Sequence, residues 1–393
     1  MDRVLNPYSP GAGLRPPELA GRDGRMEDFE ILRQRAAAGL MSRSVVMTGL
    51  RGVGKTVLLG ELAARARRDG WIVGMVEADR GGTRRPFREQ VAGTLNRALR
   101  ELAGSRQQAA GLRRALATFK SFSLRVDPAG GLAIGIEVDA ERGRADTGAL
   151  EVDLTDLGFD LAAAGAERGG GAALFVDEMQ DLARAELSAL CQACHQAGQH
   201  QAPFYVVGAG LPSLPGLLAE ARSYAERLFD YWPIGALTPA DAAVALVRPA
   251  AGHGVDWRPA AVSAVVDAAG GYPYFLQEFG KAAWDFAPGP AITHADALAG
   301  IEAGAAALDH GFFASRWERA RPAERAYLRA VAIDGNGPAS SGEVARRLGR
   351  QPSAVGPTRA GLIRKGLIYA PEHGLVAFTV PGMADFIVRQ TSG

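Results

Sequence analysis

The chain has little cysteine, almost no lysine and no long apolar run. Two cysteines in 393 residues exclude a disulfide-built fold and fit a reducing compartment. No stretch is apolar over the length that a membrane span requires, so no membrane partner is expected. The opening residues Met1-Asp2-Arg3-Val4-Leu5-Asn6-Pro7 lack the apolar core of an export signal, and the expectation is a cytoplasmic protein. Net charge is nearly absent too. At +1 for the whole chain, any affinity for nucleic acid has to come from a local basic face. Lysine occurs only at Lys55, Lys120, Lys281 and Lys365, with arginine supplying the other positive charges, so a lysine inside a motif is informative.

What is present is an ordinary globular composition, 47% hydrophobic and 22% charged, in a length that suggests two or three domains. Residues 1–25 are rich in proline and glycine and read as an extended arm. From 26 to 236, short apolar runs alternate with helical periodicity: strands at 44–48, 71–78, 172–176 and 204–207, helices at 26–38, 56–68, 87–102, 112–122, 150–166 and 182–199. That alternation indicates an α/β fold with a parallel sheet covered by helices. A hairpin is expected at about 122–139, turning at Pro128-Ala129-Gly130-Gly131, as an insertion in this core. Residues 237–315 read as helices only, and 316–393 as three helices followed by a hairpin, the order of a winged helix-turn-helix.

Between the first strand and its helix lies Gly49-Leu50-Arg51-Gly52-Val53-Gly54-Lys55-Thr56, which matches G-x-x-x-x-G-K-[ST] in the strand–loop–helix context that the motif requires. Glycines let successive N–H groups turn toward phosphates, and the helix N-terminus adds a favourable dipole. Lys55 is expected on the β- and γ-phosphates of ATP or ADP and the Thr56 hydroxyl on Mg2+. The apolar run Leu174-Phe175-Val176 ends in Asp177-Glu178. A buried strand tolerates carboxylates only at its end, where a metal or water meets the charge. Asp177 is expected to hold Mg2+ through water and Glu178 to act as general base.

These residues resemble the AAA+-related P-loop ATPases of the origin-recognition-like and archaeal-type group, close to the STAND ATPases. The resemblance spans roughly residues 6–390. It rests on the loop 49–56 with the following Val57-Leu58-Leu59, and on Asp177-Glu178-Met179-Gln180. It implies an ATPase with a P-loop NTPase core, a helical lid and a C-terminal winged helix-turn-helix domain. Asn6-Pro7-Tyr8 with Gly21-Arg22-Asp23 looks like the family's adenine-side box, so Pro7, Tyr8 and Arg22 are expected near the adenine. Gly271-Tyr272-Pro273 looks like the lid element, so Pro273 is expected to close the pocket. Arg227 stands where such ATPases carry a catalytic arginine, often offered to a neighbouring subunit of a homo-oligomer; a surface pair with Glu226 is the other reading. Two departures stand out. The strand at 204–207 runs into Gly208-Ala209-Gly210 with no polar sensor for the γ-phosphate, and the lid offers Gln277 and Lys281 but no second-sensor arginine. Both imply a slow, nucleotide-gated switch instead of a fast motor.

From Arg321 onward there are ten basic residues against five acidic ones. Arg346, Arg347, Arg350, Arg359, Arg364 and Lys365 lie in or beside the second and third helices expected there, with Gln351, Ser353, Thr358 and Arg359 available for base edges. Two readings stay open: double-stranded DNA binding, or a winged helix that makes protein or intramolecular contacts as in signalling and defence-type switches. Cys191-Gln192-Ala193-Cys194-His195 spells a haem-attachment pattern, but it lies mid-helix with too few partners for zinc. No haem is expected there, and both cysteines are read as packed on the sheet face.

Overall fold

The computed structural model of the chain describes residues 1–79, 85–103, 110–125, 127 and 138–391. Val45, Val46 and Met47 are all buried, yet they alternate between two apolar cores: Val45 and Met47 face one, Val46 the other. Such a run requires helices on both faces of its sheet. Strands β1 (Ser44–Thr48), β2 (Ile72–Glu77), β3 (Ala172–Asp177), β4 (Phe204–Gly210) and β5 (Phe229–Pro233) make a five-stranded parallel sheet in the order β2-β3-β4-β1-β5. Helices α1 (Asp23–Ala37) and α2 (Lys55–Arg68) cover the face of Val45, Met47, Phe175 and Tyr205. Helices α3 (Phe87–Ala103), α4 (Ala110–Leu124), α5 (Leu150–Ala166), α6 (Arg184–Gln199), α7 (Leu214–Ala221) and the short α8 (Ala225–Leu228) belong to the other face. The α/β reading with a parallel sheet is what the chain adopts.

The hairpin expected at about 122–139 falls mostly on residues outside those described. Its first residues are not strand. Phe122, Ser123 and Leu124 end α4, because Phe119 and Phe122 continue a three-residue apolar spacing into the core beside Leu112, Ala115 and Leu116.

Four helices follow the sheet: α9 (Pro239–Ala251), α10 (Pro259–Ala269), α11 (Pro273–Phe286) and α12 (His294–Ala307). This stretch is not helices only. β6 (Asp256–Trp257) and β7 (Ala291–Ile292) pair in parallel, burying Trp257 and Ile292 in the lid core. Helix α12 runs through a π-helical turn, Leu308–Phe313, straight into α13 (Ala314–Glu318).

The C-terminal part contains α14 (Pro322–Ala332), α15 (Ser341–Arg347) and α16 (Pro352–Arg364), with β8 (Ala339–Ser340), β9 (Ile368–Tyr369) and β10 (Leu375–Phe378) in an antiparallel sheet of order β8-β10-β9. It adds to the expected order a third strand and a last helix, α17 (Met383–Thr391), which packs on α14. Phe386 of α17 stacks on Phe313 of the π turn at 5.5 Å. One apolar core therefore runs without a break from the lid (Leu246, Trp284, Phe279) through Leu308, Phe313 and Trp317 into the winged part (Tyr327, Leu328, Phe378).

Candidate nucleotide site

The loop between β1 and α2 has the shape its glycines permit. Gly52 and Gly54 sit at φ +87° and +89°, in the left-handed region that side chains avoid. A Cβ on Gly49 would lie 2.1 Å from the Ile234 carbonyl oxygen, so nothing larger fits where β1 leaves the sheet. The Lys55 ammonium folds back and donates to the carbonyls of Gly49 and Leu50, at 2.9 Å each. Burial draws it down to about 8, opposed by Glu178 and Asp177 and aided by Arg51.

Asp177 ends β3, 5% exposed. Burial raises its carboxyl, while hydrogen bonds from the Thr56 hydroxyl and the Glu178 N–H pull the other way. A hydroxyl and a buried carboxylate side by side suit a divalent cation whose other ligands are phosphate oxygens and water. Among the described residues no cluster of three or more acidic, histidine or cysteine side chains offers an all-protein metal cage.

Glu178 is held at φ +48°, an unusual conformation for a residue with a side chain. Its carboxylate accepts from Gln180 Nε2 and lies 3.6 Å from Arg51 Nη2. Buried Gln180 reaches on to β4, where its Oε1 accepts the Leu211 N–H at 2.9 Å. This explains the bare end of β4. A Cβ on Gly208 would meet Met179 Sδ at 2.4 Å, and one on Gly210 would meet Gln180 Oε1 at 2.5 Å. Gln180 fills the space that a β4 side chain would need.

A cavity of about 340 Å³ opens over the loop. Of the residues expected there, Gly52, Val53, Gly54, Lys55, Thr56, Val57, Glu178, Arg22 and Pro273 line it. Arg22 ties the wall together by donating to Val53 O and Gly235 O at 3.0 and 2.8 Å. Gly49 and Asp177 stand behind the lining, joined to it through Lys55 and Thr56. On the arm side the lining is residues 9–14, Pro16 and residues 18–20.

Three of the expected residues stand outside the cavity lining. Tyr8 is not at the cavity: it is 2% exposed inside the lid, donating to Leu246 O and accepting from Trp257 Nε1 at 2.8 Å. Burial pushes its phenol up. Pro7, held beside it, is not in the lining either. Arg227 is exposed on α8 beside Ser42, Arg43 and His195, at the end of the sheet where β1 begins, whereas the phosphate loop leaves the end where β1 finishes. It does not reach this chain's own site. Sequence reasoning also missed two cations that line the cavity, Arg51 and Arg316. The first was visible as a motif position without assigned chemistry; the second lies 265 residues downstream and carried no signal.

The winged part sits directly on the phosphate loop. Arg51 N–H donates to Thr379 O at 2.9 Å, and Leu50 and Leu211 pack with Tyr369 and Ala377. A Cβ on Gly366 would meet Arg51 Nη2 at 3.2 Å, so the guanidinium lies between Gly366 and Glu178. The Thr379 hydroxyl donates to Gly366 O at 2.7 Å, locking both contacts together.

Most of the expected DNA-facing cations have internal partners. Arg347 bonds Asp334 at 2.6 and 2.7 Å, and Arg346 pairs with Glu343. Arg359 donates to Leu375 O at 3.3 Å, and Lys365 donates to Glu324 at 2.5 Å. Arg350 and Arg364 are exposed. Cys191 and Cys194 are buried in α6, with Cys194 Sγ 3.3 Å from Ser44 Oγ. Burial pushes their thiols up to about 12 and about 11, which makes them poor nucleophiles.

Residues 18–207 match the AAA ATPase domain family, and residues 310–387 match a domain of unknown function (DUF8462). No curated protein matches the sequence. Among solved structures, the Walker-type ATPase PABY2304 of Pyrococcus abyssi is 15% identical, with a TM-score of 0.60 over 98% of this chain and 99% of its own. The RuvB Holliday junction branch migration motor of Thermotoga maritima is 17% identical at a TM-score of 0.45, covering 93% and 96%. The ORC1 protein of Aeropyrum pernix, solved in complex with DNA, is 15% identical at 0.48, covering 99% and 96%. The first of these likenesses is one of fold. The family match from residue 18 to residue 207 takes in the phosphate loop and the strand that ends in Asp177, so this part of the chain is an AAA-type P-loop ATPase domain.

Proposed function

We propose that the chain binds ATP with Mg2+ at residues 49–56, hydrolyses it slowly, and uses the nucleotide to set whether the winged part stays docked on the phosphate loop. The double contact on Arg51 carries this reading: its N–H is taken by Thr379 O, and its guanidinium lies between Gly366 and the candidate base Glu178. A ligand that draws Arg51 or the loop toward a γ-phosphate changes both contacts at once, which is the differential interaction that a switch needs.

On binding, Lys55 exchanges the carbonyls of Gly49 and Leu50 for phosphate oxygens. Thr56 and Asp177 are the residues that would hold Mg2+, which withdraws charge from the phosphates. Glu178 accepts a proton from the attacking water. A bond forms from the water oxygen to the γ-phosphorus as the bond to the bridging oxygen of ADP breaks. While Arg51 and Gln180 engage the Glu178 carboxylate, that proton transfer is held back. Slow turnover follows from this restraint. Lys55→Ala is expected to weaken nucleotide binding measured by calorimetry, and Glu178→Gln to keep binding while turnover falls by about 100-fold or more. Unaltered turnover in Glu178→Gln removes the base from this scheme.

A second reading has the winged part bind double-stranded DNA, and the exposed Arg350 and Arg364 near Gln351 and Ser353 favour it. With only two of six cations unengaged, log affinity should fall against log salt with a slope of about 2. Absence of any duplex affinity at low salt rejects this reading. Arg227 can act on a nucleotide only from a second copy of the chain, so its role requires a homo-oligomer.

A further inference from the structure

Arg316 is a cation in search of an anion. It lines the same cavity as Lys55, Thr56 and Glu178, but it is carried by α13, beyond the lid helices. Its guanidinium stacks on the Phe312 ring at 3.9 Å and Nη1 donates to Phe312 O at 2.6 Å. Phe312 in turn stacks at 4.9 Å on Tyr274, which faces Gly52 of the phosphate loop. The stack fixes the position of Arg316 above the loop. No carboxylate pairs with it among the described residues, and the charges that act on it most are two other arginines, Arg51 and Arg319. Burial and that repulsion draw it down to about 10. A charged group held in this way at a cost to the free protein marks a site where an anion completes the balance. The π turn that precedes it is a feature often kept where a helix must aim side chains at a ligand.

We propose that Arg316 is a direct ligand of the terminal phosphate, from the same chain, and that it distinguishes a nucleoside triphosphate from a diphosphate. This rests on the reading of residues 49–56 as the phosphate loop and assigns the sensing of the γ-phosphate to the segment that joins lid and winged part. Glycines at the end of β4 leave no sensor there, and the α11 residues that line the cavity, Pro273, Tyr274, Leu276 and Gln277, include no cation. Arg316 supplies the charge from elsewhere. Because α12, the π turn and α13 are one continuous helix, a pull on Arg316 is a pull on the connection to the winged part.

Calorimetric titration with ADP and with the β,γ-imido analogue of ATP, each with Mg2+, tests this in wild type, Arg316→Gln and Arg316→Lys. A charge-assisted, forked contact predicts that Arg316→Gln loses about tenfold or more in affinity for the triphosphate analogue and changes by less than about twofold for ADP. Arg316→Lys should fall between, keeping the charge without the fork. Retained ADP affinity reports an intact fold. Equal losses for both nucleotides, or a loss for neither, overturn the assignment while leaving the phosphate loop standing. Wild-type protein that binds neither nucleotide, or whose binding ignores Lys55→Ala, overturns the loop reading and this assignment with it.

Discussion

Tyr369→Ala tests the docking of the winged part on the phosphate loop. Tyr369 is 9% exposed and packs with Leu50 and Leu211 from the core and Ala377 from its own sheet. Truncating a buried aromatic costs about 3–5 kcal/mol in total. Part of that loss falls on the winged sheet itself, leaving about 1–2 kcal/mol against the docked arrangement. A shift of that size changes the ratio of docked to undocked molecules by about 5–30-fold. In the undocked form Arg51 no longer has Thr379 O on its N–H or Gly366 behind its guanidinium, so Glu178 is less constrained. The expected outcome is faster ATP turnover together with faster amide exchange across residues 49–56. Denaturant unfolding of the same variant separates local undocking from general destabilisation. Unchanged turnover and unchanged exchange refute the docking argument.

Two further outcomes follow from the site. In the free protein the Lys55 ammonium titrates near 8, and a bound polyphosphate restores its charge, so binding takes up a proton. ATP affinity is then fully present below pH 8 and declines as pH rises through about 8, by up to tenfold per pH unit, a dependence that calorimetry should find absent in Lys55→Ala. Tyr8→Phe leaves Trp257 Nε1 and Leu246 O without their buried partner. It is expected to lower thermal stability by about 1–3 kcal/mol while nucleotide affinity is kept, because the ring lies outside the cavity. A loss of affinity without a loss of stability contradicts that placement.

The parts of this protein legible in its sequence are those whose cause is local. Eight consecutive residues dictate the phosphate loop, and the apolar run before Asp177 dictates a buried strand ending in acids. Tyr8 was misread because its partners, Leu246 and Trp257, stand more than 230 residues away, and a short arm motif carries no trace of them. Leu124 was misread for a smaller reason: beside a glycine-rich turn, a few alternating residues look like strand, while the three-residue spacing of Phe119 and Phe122 extends the helix. The missing sensors look like a defect in sequence. In three dimensions Gln180 fills the gap beside Gly210, and its side chain is the reason that β4 ends in glycine. Arg316 had no signal at all, since one arginine among many becomes informative only when no carboxylate among the described residues pairs with it.

The unbroken apolar core from Leu246 through Phe313 to Phe378 has a mechanical consequence. Lid and winged part cannot slide past each other without exposing that interior, so they behave as one stiff lever. It joins the sheet through the arm, residues 9–22, and through the link from Ile234 to Thr238. A small closure over the nucleotide is therefore magnified with distance from the fulcrum. The same continuity makes lid and winged part a single cooperative block in unfolding, with the sheet as the other.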